Sequence, residues 1–478
     1  MQAFMVYYTE LSKYFLALMI AFYAYEGFAV FRFDSEERRT NIYIRQNILM
    51  ALIHLGCFIS IFFATQNLDY LFFYFFQLIV LYAFIVLFRL IYPKANRLLV
   101  NNMCLLLSIG FAILTRLSYN RAMRQFLIAT ASLAMALCVP YLLRKLKILS
   151  KLTWLYAATG ALMLLAVYVL GETHYGSRRM ISIAGVSFQP SELVKLLFVF
   201  FVAAALYKSS DIKQVVLTML VAAFHVIILV ASRDLGSALI FFVVFVMMVY
   251  LATGQWWYLI AGALGGSAAA VVAYHLFSHV QVRVQAFMDP WSVIDSQGYQ
   301  ITQSLFAISS GGLFGLGFYK GQPTSIPIVE ADFIFSAMAE ELGLVFCICV
   351  ILVCLSSFIM FMNLAVRFKE RFYQLVAFGL GITYIFQVFL AIGGGVKFIP
   401  MTGLTLPFIS YGGTSVLVSI IMFAIVAGLY VLRSDEGKIK TRRDIPRRAG
   451  AKAPPSSPAN KTEGKFEDGQ NGQNGQNG

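Results

Sequence analysis

The sequence predicts an all-α, polytopic integral membrane protein, and three observations carry that prediction. Of 478 residues, 60% are hydrophobic and only 13% are charged, against about 25% charged in soluble domains. Several stretches, among them Tyr70–Phe88, Leu152–Leu170 and Gln374–Ala391, are apolar for about the 20 residues a helix needs to cross the hydrocarbon. The basic residues behind the net charge of +14 fall in short polar segments between these runs. That placement fits topology signals and argues against nucleic-acid binding, for which no recognition motif is present.

In chain order, the apolar runs place thirteen spans near residues 14–32, 47–65, 70–90, 101–117, 125–143, 152–170, 187–207, 215–231, 237–253, 257–277, 333–361, 373–392 and 409–432. Loops carrying Arg38, Arg39 and Arg45, then Arg97, then Arg144, Lys145, Lys147 and Lys151, then Lys208 and Lys213, then Arg367, Lys369 and Arg371 read as cytoplasmic. An odd span count then puts the N-terminus outside and the C-terminus in the cytoplasm. Arg121 and Arg124, in an outward loop, are the exception. The N-terminus lacks the basic region of a cleavable signal.

Two outward segments exceed simple connections: 171–188, and 279–332, which is rich in Gly, Ser and Gln. The second suits an element folded back against the bundle. The tail from Ser434 is polar, ends in GQNGQNGQNG and reads as disordered. Its first part, from Arg433 to Lys452, holds eight basic and three acidic residues. This stretch suits either a topology anchor or contact with anionic lipid. All six cysteines lie in apolar runs and read as packing residues. The five histidines show no metal-ligand spacing.

Ionisable residues in or beside spans are functional candidates because burying each one is costly. Glu192 and Lys195 share one helix face, as either a charge-hiding pair or a functional one. Asp234 reads as a helix cap. Arg178 and Arg179 suit an interfacial anchor or, beside a pyrophosphate, a charge clamp. Asp332 stands between the long outward segment and the apolar Phe333-Ile334-Phe335, where partial burial can raise a carboxylate towards the pKa of a general base. Glu340 and Glu341 follow two helical turns deeper, and at least one should face inwards. In AISSGGLFGLG the glycines permit close backbone approach, without a Walker-type Lys-Ser/Thr. The stretch GGGVKFIPMTGLTLPFISYGGTS suits a broken helix.

The segments GSRRMISIAGVSFQPSELVK, RDLGSA, RVQAFMDPW, GYQITQSLFAISSGGLFGLG, DFIFSAMAEELG and FIPMTGLTLPFISYGGTS occur in an order that resembles the SEDS family of FtsW, RodA and SpoVE. The resemblance covers about residues 100–433, leaving residues 1–99 as three additional helices and the tail from 434 outside it. It implies a peptidoglycan glycosyltransferase of the bacterial cytoplasmic membrane. Such an enzyme polymerises lipid II on the outer face, for division, elongation or sporulation, with a class B penicillin-binding protein as partner. The family's essential acid falls on Asp332. Arg178, Arg179, Arg283 and Lys397 become candidate cations for the lipid pyrophosphate, with Glu192, Lys195 and Ser410 as further substrate-binding candidates. A divalent cation, Mg or Mn, is implied by the resemblance alone.

Three departures mark this chain. Met180 stands where the family usually has Trp, Ile326-Pro327-Ile328 replaces Leu-Pro-Glu, and the nearest loop acid is Glu330. A lipid II flippase, and a weakly catalytic scaffold for a penicillin-binding protein, are the rival readings. Neither needs chemistry at Asp332.

Overall fold

The computed structural model describes residues 2–174, 177–183 and 186–443. The described residues up to Asp435 form one compact unit. Fifteen α-helices are described. They are α1 (Gln2–Ala29), α2 (Glu36–Thr65), α3 (Asp69–Ile91), α4 (Arg97–Leu117), α5 (Tyr119–Lys145), α6 (Thr153–Leu170), α7 (Pro190–Leu206), α8 (Ile212–Ala231), α9 (Leu235–Thr253), α10 (Trp257–Leu276), α11 (Ser278–Met288), α12 (Tyr299–Gly311), α13 (Ile334–Arg367), α14 (Arg371–Gly395) and α15 (Gly413–Arg443). Thirteen of them coincide with the expected spans, and α11 and α12 lie in the long segment before Asp332. Among the described residues, eleven helices are long and apolar enough to cross a membrane; α1 and the 17-residue α7 are not in that set.

Segment 171–188 adds strands to the otherwise helical described residues. Strands β1 (Glu172–His174), β2 (Ser177–Ile183) and β3 (Val186–Phe188) pair antiparallel in sequence order. The last helix continues past Arg433 to Arg443. The disorder expected of the tail beyond that point lies outside the described residues.

The additional helices are not an appendage. They pack on α4 and α13, and every residue of α4 from Leu98 to Thr115 is buried. Such a helix can carry amides because neighbours satisfy them. The Asn102 amide donates to Ser356 (2.8 Å) and Ser357 (3.0 Å) of α13 and accepts from the Tyr23 hydroxyl of α1 (3.2 Å). Asn101 donates to Gln46 of α2 (3.2 Å). Each bond keeps a buried polar group paired where no water can reach it.

The span expected at 333–361 is broken. Gly343 has φ 84° and ψ 170°, which divides α13 after its first turns. The backbone groups freed there are met by the Gly-rich segment after α12. The N–H groups of Leu316 and Gly317 donate to the carbonyls of Glu340 (2.9 Å) and Glu341 (3.0 Å), and Leu344 and Val345 donate to Gly312 and Leu313 (3.0 Å each). That is the close approach the glycines of AISSGGLFGLG permit. Gly315 itself has φ 80°. Both Glu340 and Glu341 are buried, and Glu341 pairs with Arg116 of α4 at 2.9 Å.

Candidate active site

Segments 171–188 and 279–332 converge on a cavity of about 1140 Å³. Its walls come from α5 (Arg124, Ile128), the small sheet (Arg179, Met180), α11 (Arg283, Phe287), α12 (Tyr299, Gln300), the turn before α13 (Ile328, Glu330, Asp332) and the segment between α14 and α15 (Met401, Thr405, Tyr411).

The backbone around Asp332 is fixed from both sides. Upstream, the N–H groups of Ala331 and Asp332 donate to the Ile328 carbonyl at 3.1 and 3.2 Å. This turn holds Ile328 at φ 57°, a strained conformation for a β-branched residue and of the kind found at functional sites. The turn is fastened to the LPFISYGG stretch. Tyr411 N–H donates to the Glu330 carbonyl (2.7 Å), and the Ser410 hydroxyl donates to the Ala331 carbonyl (2.6 Å). Gln125 clamps that stretch in turn, donating to the Ser410 carbonyl (2.8 Å) and accepting from Gly412 N–H (3.0 Å). Downstream, Phe333 is fully buried against Ile301, Ile326 and Ala337.

The Asp332 carboxylate lines the cavity, and no described residue gives it a hydrogen bond or an ion pair within 4 Å. Burial pushes its pKa above the ordinary aspartate value, Arg179 and Arg283 pull it back, and Glu330 adds a smaller upward push. Those two arginines are held largely by neutral groups. Arg179 donates to the Gly403 carbonyl (2.9 Å) and lies 4.0 Å from Asp234; Arg283 donates to the carbonyls of Met401 (3.1 Å) and Thr402 (3.3 Å). Their positive charge is therefore still available to an anion in the cavity. Asp234 caps α9 through Ser237 N–H (3.3 Å), as expected, and also accepts from Ser191 (3.1 Å).

Of the expected site residues, the structure brings Asp332, Arg179 and Arg283 to one cavity. Lys397, Ser410, Glu192 and Lys195 are not on its wall. The Arg178 side chain lies outside the described residues. Ser410 is buried, and its hydroxyl is used by Ala331 and by Leu406 N–H (2.9 Å). The Glu192–Lys195 pair (2.9 Å) is buried, and Lys195 also donates to Gln387 of α14 (2.6 Å). Gln387 in turn donates to the carbonyl of the cavity residue Thr405 (3.0 Å). Replacing both charges (Glu192→Gln with Lys195→Met) should therefore be milder than either single change, because a lone buried charge costs about 3–5 kcal/mol. Thermal unfolding of the three purified variants checks this order.

Sequence reasoning missed Arg121, Arg124 and Tyr411. Arg121 forms an ion pair with Glu330 and lies over the Tyr411 ring, while Arg124 lines the cavity. The signal was present: these are the two arginines that broke the cytoplasmic pattern of basic residues. Their place is explained by the cavity.

The FtsW/RodA/SpoVE family model, described as cell cycle protein, matches residues 96–434. The chain belongs to this family. Similar curated members include the peptidoglycan glycosyltransferase RodA of Mycobacterium leprae, 32% identical over 361 residues, covering 70% of this chain and 77% of that one. The protein of the same name from Mycobacterium bovis is 34% identical over 268 residues, 53% of this chain. That match spans only 57% of the relative's length.

Two solved structures share the family fold. One chain, from work on the structural coordination of polymerization and crosslinking by a peptidoglycan synthase complex, aligns with TM-score 0.61 at 24% identity, over 71% of this chain and 98% of that one. The rod shape determining protein RodA of Thermus thermophilus aligns with TM-score 0.51 at 24% identity, over 70% of this chain and 96% of that one. The family match begins at residue 96, so α1–α3 lie outside it.

Proposed function

We propose that this FtsW/RodA/SpoVE member is a peptidoglycan glycosyltransferase that polymerises lipid II, with Asp332 as general base. One observation carries the reading: an unpartnered carboxylate on the wall of a large cavity whose other free charges are arginines. Glu330, the alternative acid, is engaged by Arg121. In the reaction, Asp332 takes the proton of the acceptor sugar hydroxyl as its oxygen bonds to the donor's anomeric carbon from the face opposite the leaving group. The bond from that carbon to the lipid pyrophosphate breaks, inverting the centre, and Arg179, Arg283 and Arg124 stabilise the negative charge released.

Among the described residues no three His, Cys, Asp or Glu side chains come together to hold a metal ion. A dedicated protein cage for Mg or Mn therefore does not fit. A cation used here would arrive on the substrate pyrophosphate and would neutralise phosphate charge. A class B penicillin-binding protein is the partner this reading implies.

Purified protein incubated with lipid II, alone and with such a partner, should give glycan polymer on a gel. Transport of lipid II across vesicles without polymer in either condition would overturn the reading. Because burial raises the Asp332 pKa, the rate should fall on the acid side at a pH above the ordinary aspartate range, by about tenfold per unit below the inflection. Initial rates across pH check this, and an inflection in the ordinary aspartate range would count against the assignment.

The reading also sets the orientation, with the cavity outside the bacterial cytoplasmic membrane, the N-terminus outside and the C-terminus in the cytoplasm. Reporter fusions at residues 2 and 440 should lie on opposite sides. Finding both in the cytoplasm would mean that one of the first helices does not span.

A further inference from the structure

A second cavity, of about 40 Å³, lies where α2, α3 and α4 meet the turn 92–96, between the additional helices and the family core. Its lining includes two arginines, Arg89 at the end of α3 and Arg97 at the start of α4. Among the described residues neither reaches a carboxylate within 4 Å. Arg97 donates to the Thr40 hydroxyl (3.1 Å) and lies 6.0 Å from the Tyr43 ring centre, while among the described residues Arg89 makes no hydrogen bond or ion pair. Asn47, also on the wall, has a buried side-chain oxygen without a hydrogen-bond donor. Ile44 completes the mouth and is 48% exposed, as are the neighbouring apolar residues Ile48 (52%) and Leu87 (45%).

We infer that this cavity binds the headgroup of an anionic phospholipid, with Arg89 and Arg97 on the phosphodiester and the Asn47 oxygen accepting from a headgroup hydroxyl. The volume is about three times what one water needs, enough for a phosphate group and too small for an acyl chain. The acyl chains then run outside, along the exposed surface of Ile44, Ile48 and Leu87. Two like charges converging on one cavity without a carboxylate call for an anion, and basic pockets between membrane helices supply such sites to lipid headgroups. Under the proposed orientation the lipid belongs to the inner leaflet, but binding itself does not depend on that orientation or on the proposed reaction. The bound lipid would add to the protein bonds that join α2 to α4 there, such as Arg97 to Thr40.

The test is native mass spectrometry of the full chain in detergent, with phosphatidylglycerol or phosphatidylethanolamine added at equal concentration. The wild type should retain phosphatidylglycerol preferentially. Arg89→Gln, which breaks no protein hydrogen bond, should weaken that preference about fivefold. Arg89→Lys should keep most of it, as should Lys147→Gln, which removes an exposed charge elsewhere. Equal retention of the two lipids by the wild type would overturn the proposal. So would a preference unchanged in both Arg89→Gln and the double variant Arg89→Gln/Arg97→Gln. Displacement of bound lipid by millimolar inorganic phosphate would assign the site to a free anion and overturn the lipid assignment.

Discussion

Asp332→Asn should slow glycan polymerisation by about 10²–10⁴-fold, the range removed when a general base is lost. Asparagine keeps the size and the backbone turn, so the Ile328 and Ser410 contacts that hold this loop should persist. Extraction yield and unfolding temperature should stay near those of the wild type. Glu330→Gln is the comparison: it frees Arg121 from its ion pair and should cost far less in rate, because Glu330 is already engaged. The readout is polymer formed per unit time from lipid II by equal amounts of folded protein. Near-normal polymerisation by Asp332→Asn would remove the catalytic assignment, and a dead Glu330→Gln would move it two residues upstream.

The second large effect is on folding. Gly343→Ala should abolish the native fold or cost about 2–6 kcal/mol, from strained backbone and from overpacking at about 1–3 kcal/mol each. A Cβ at Gly343 would sit 2.3 Å from the Gly315 nitrogen and 2.5 Å from the Leu313 carbonyl oxygen. These are backbone atoms, which cannot swing aside, and the φ of 84° adds its own penalty. Leu344→Ala, at a 41% exposed neighbour, should change little. Comparing monodisperse yield and unfolding temperature of the two variants checks this, and a well-folded Gly343→Ala protein would show that the break in α13 is not required.

The helices were legible because a hydrocarbon-spanning helix must be apolar along its length, and that demand is written directly in composition. The half-buried position of Asp332 on a cavity wall was legible for a related reason: it stands between a polar segment and the apolar Phe333. The break at Gly343 was not. AEELG reads as an ordinary helix start, and only the hydrogen bonds from 312–317, a segment distant in sequence, make the interruption tolerable. The Glu192–Lys195 pair showed its spacing but not its link through Gln387 to Thr405, because that link depends on how α7 and α14 pack. Met180 lines the cavity where the family usually has Trp. The small sheet that places it depends on pairing between strands too short to be recognised alone.

The complete enclosure of α4 has a consequence for how the chain is made. A helix bearing Asn101, Asn102, Ser108 and Thr115 would be a poor guest in lipid, where amides find no partners. Synthesis runs from the N-terminus, so α1, α2 and α3 are made before α4 leaves the ribosome. The amides of α4 can thus meet Tyr23 and Gln46 on arrival, and Ser356 and Ser357 of α13 only much later. Cutting the chain back to the family segment, 96–434, would remove Tyr23 and Gln46 and leave those amides of α4 to find partners elsewhere.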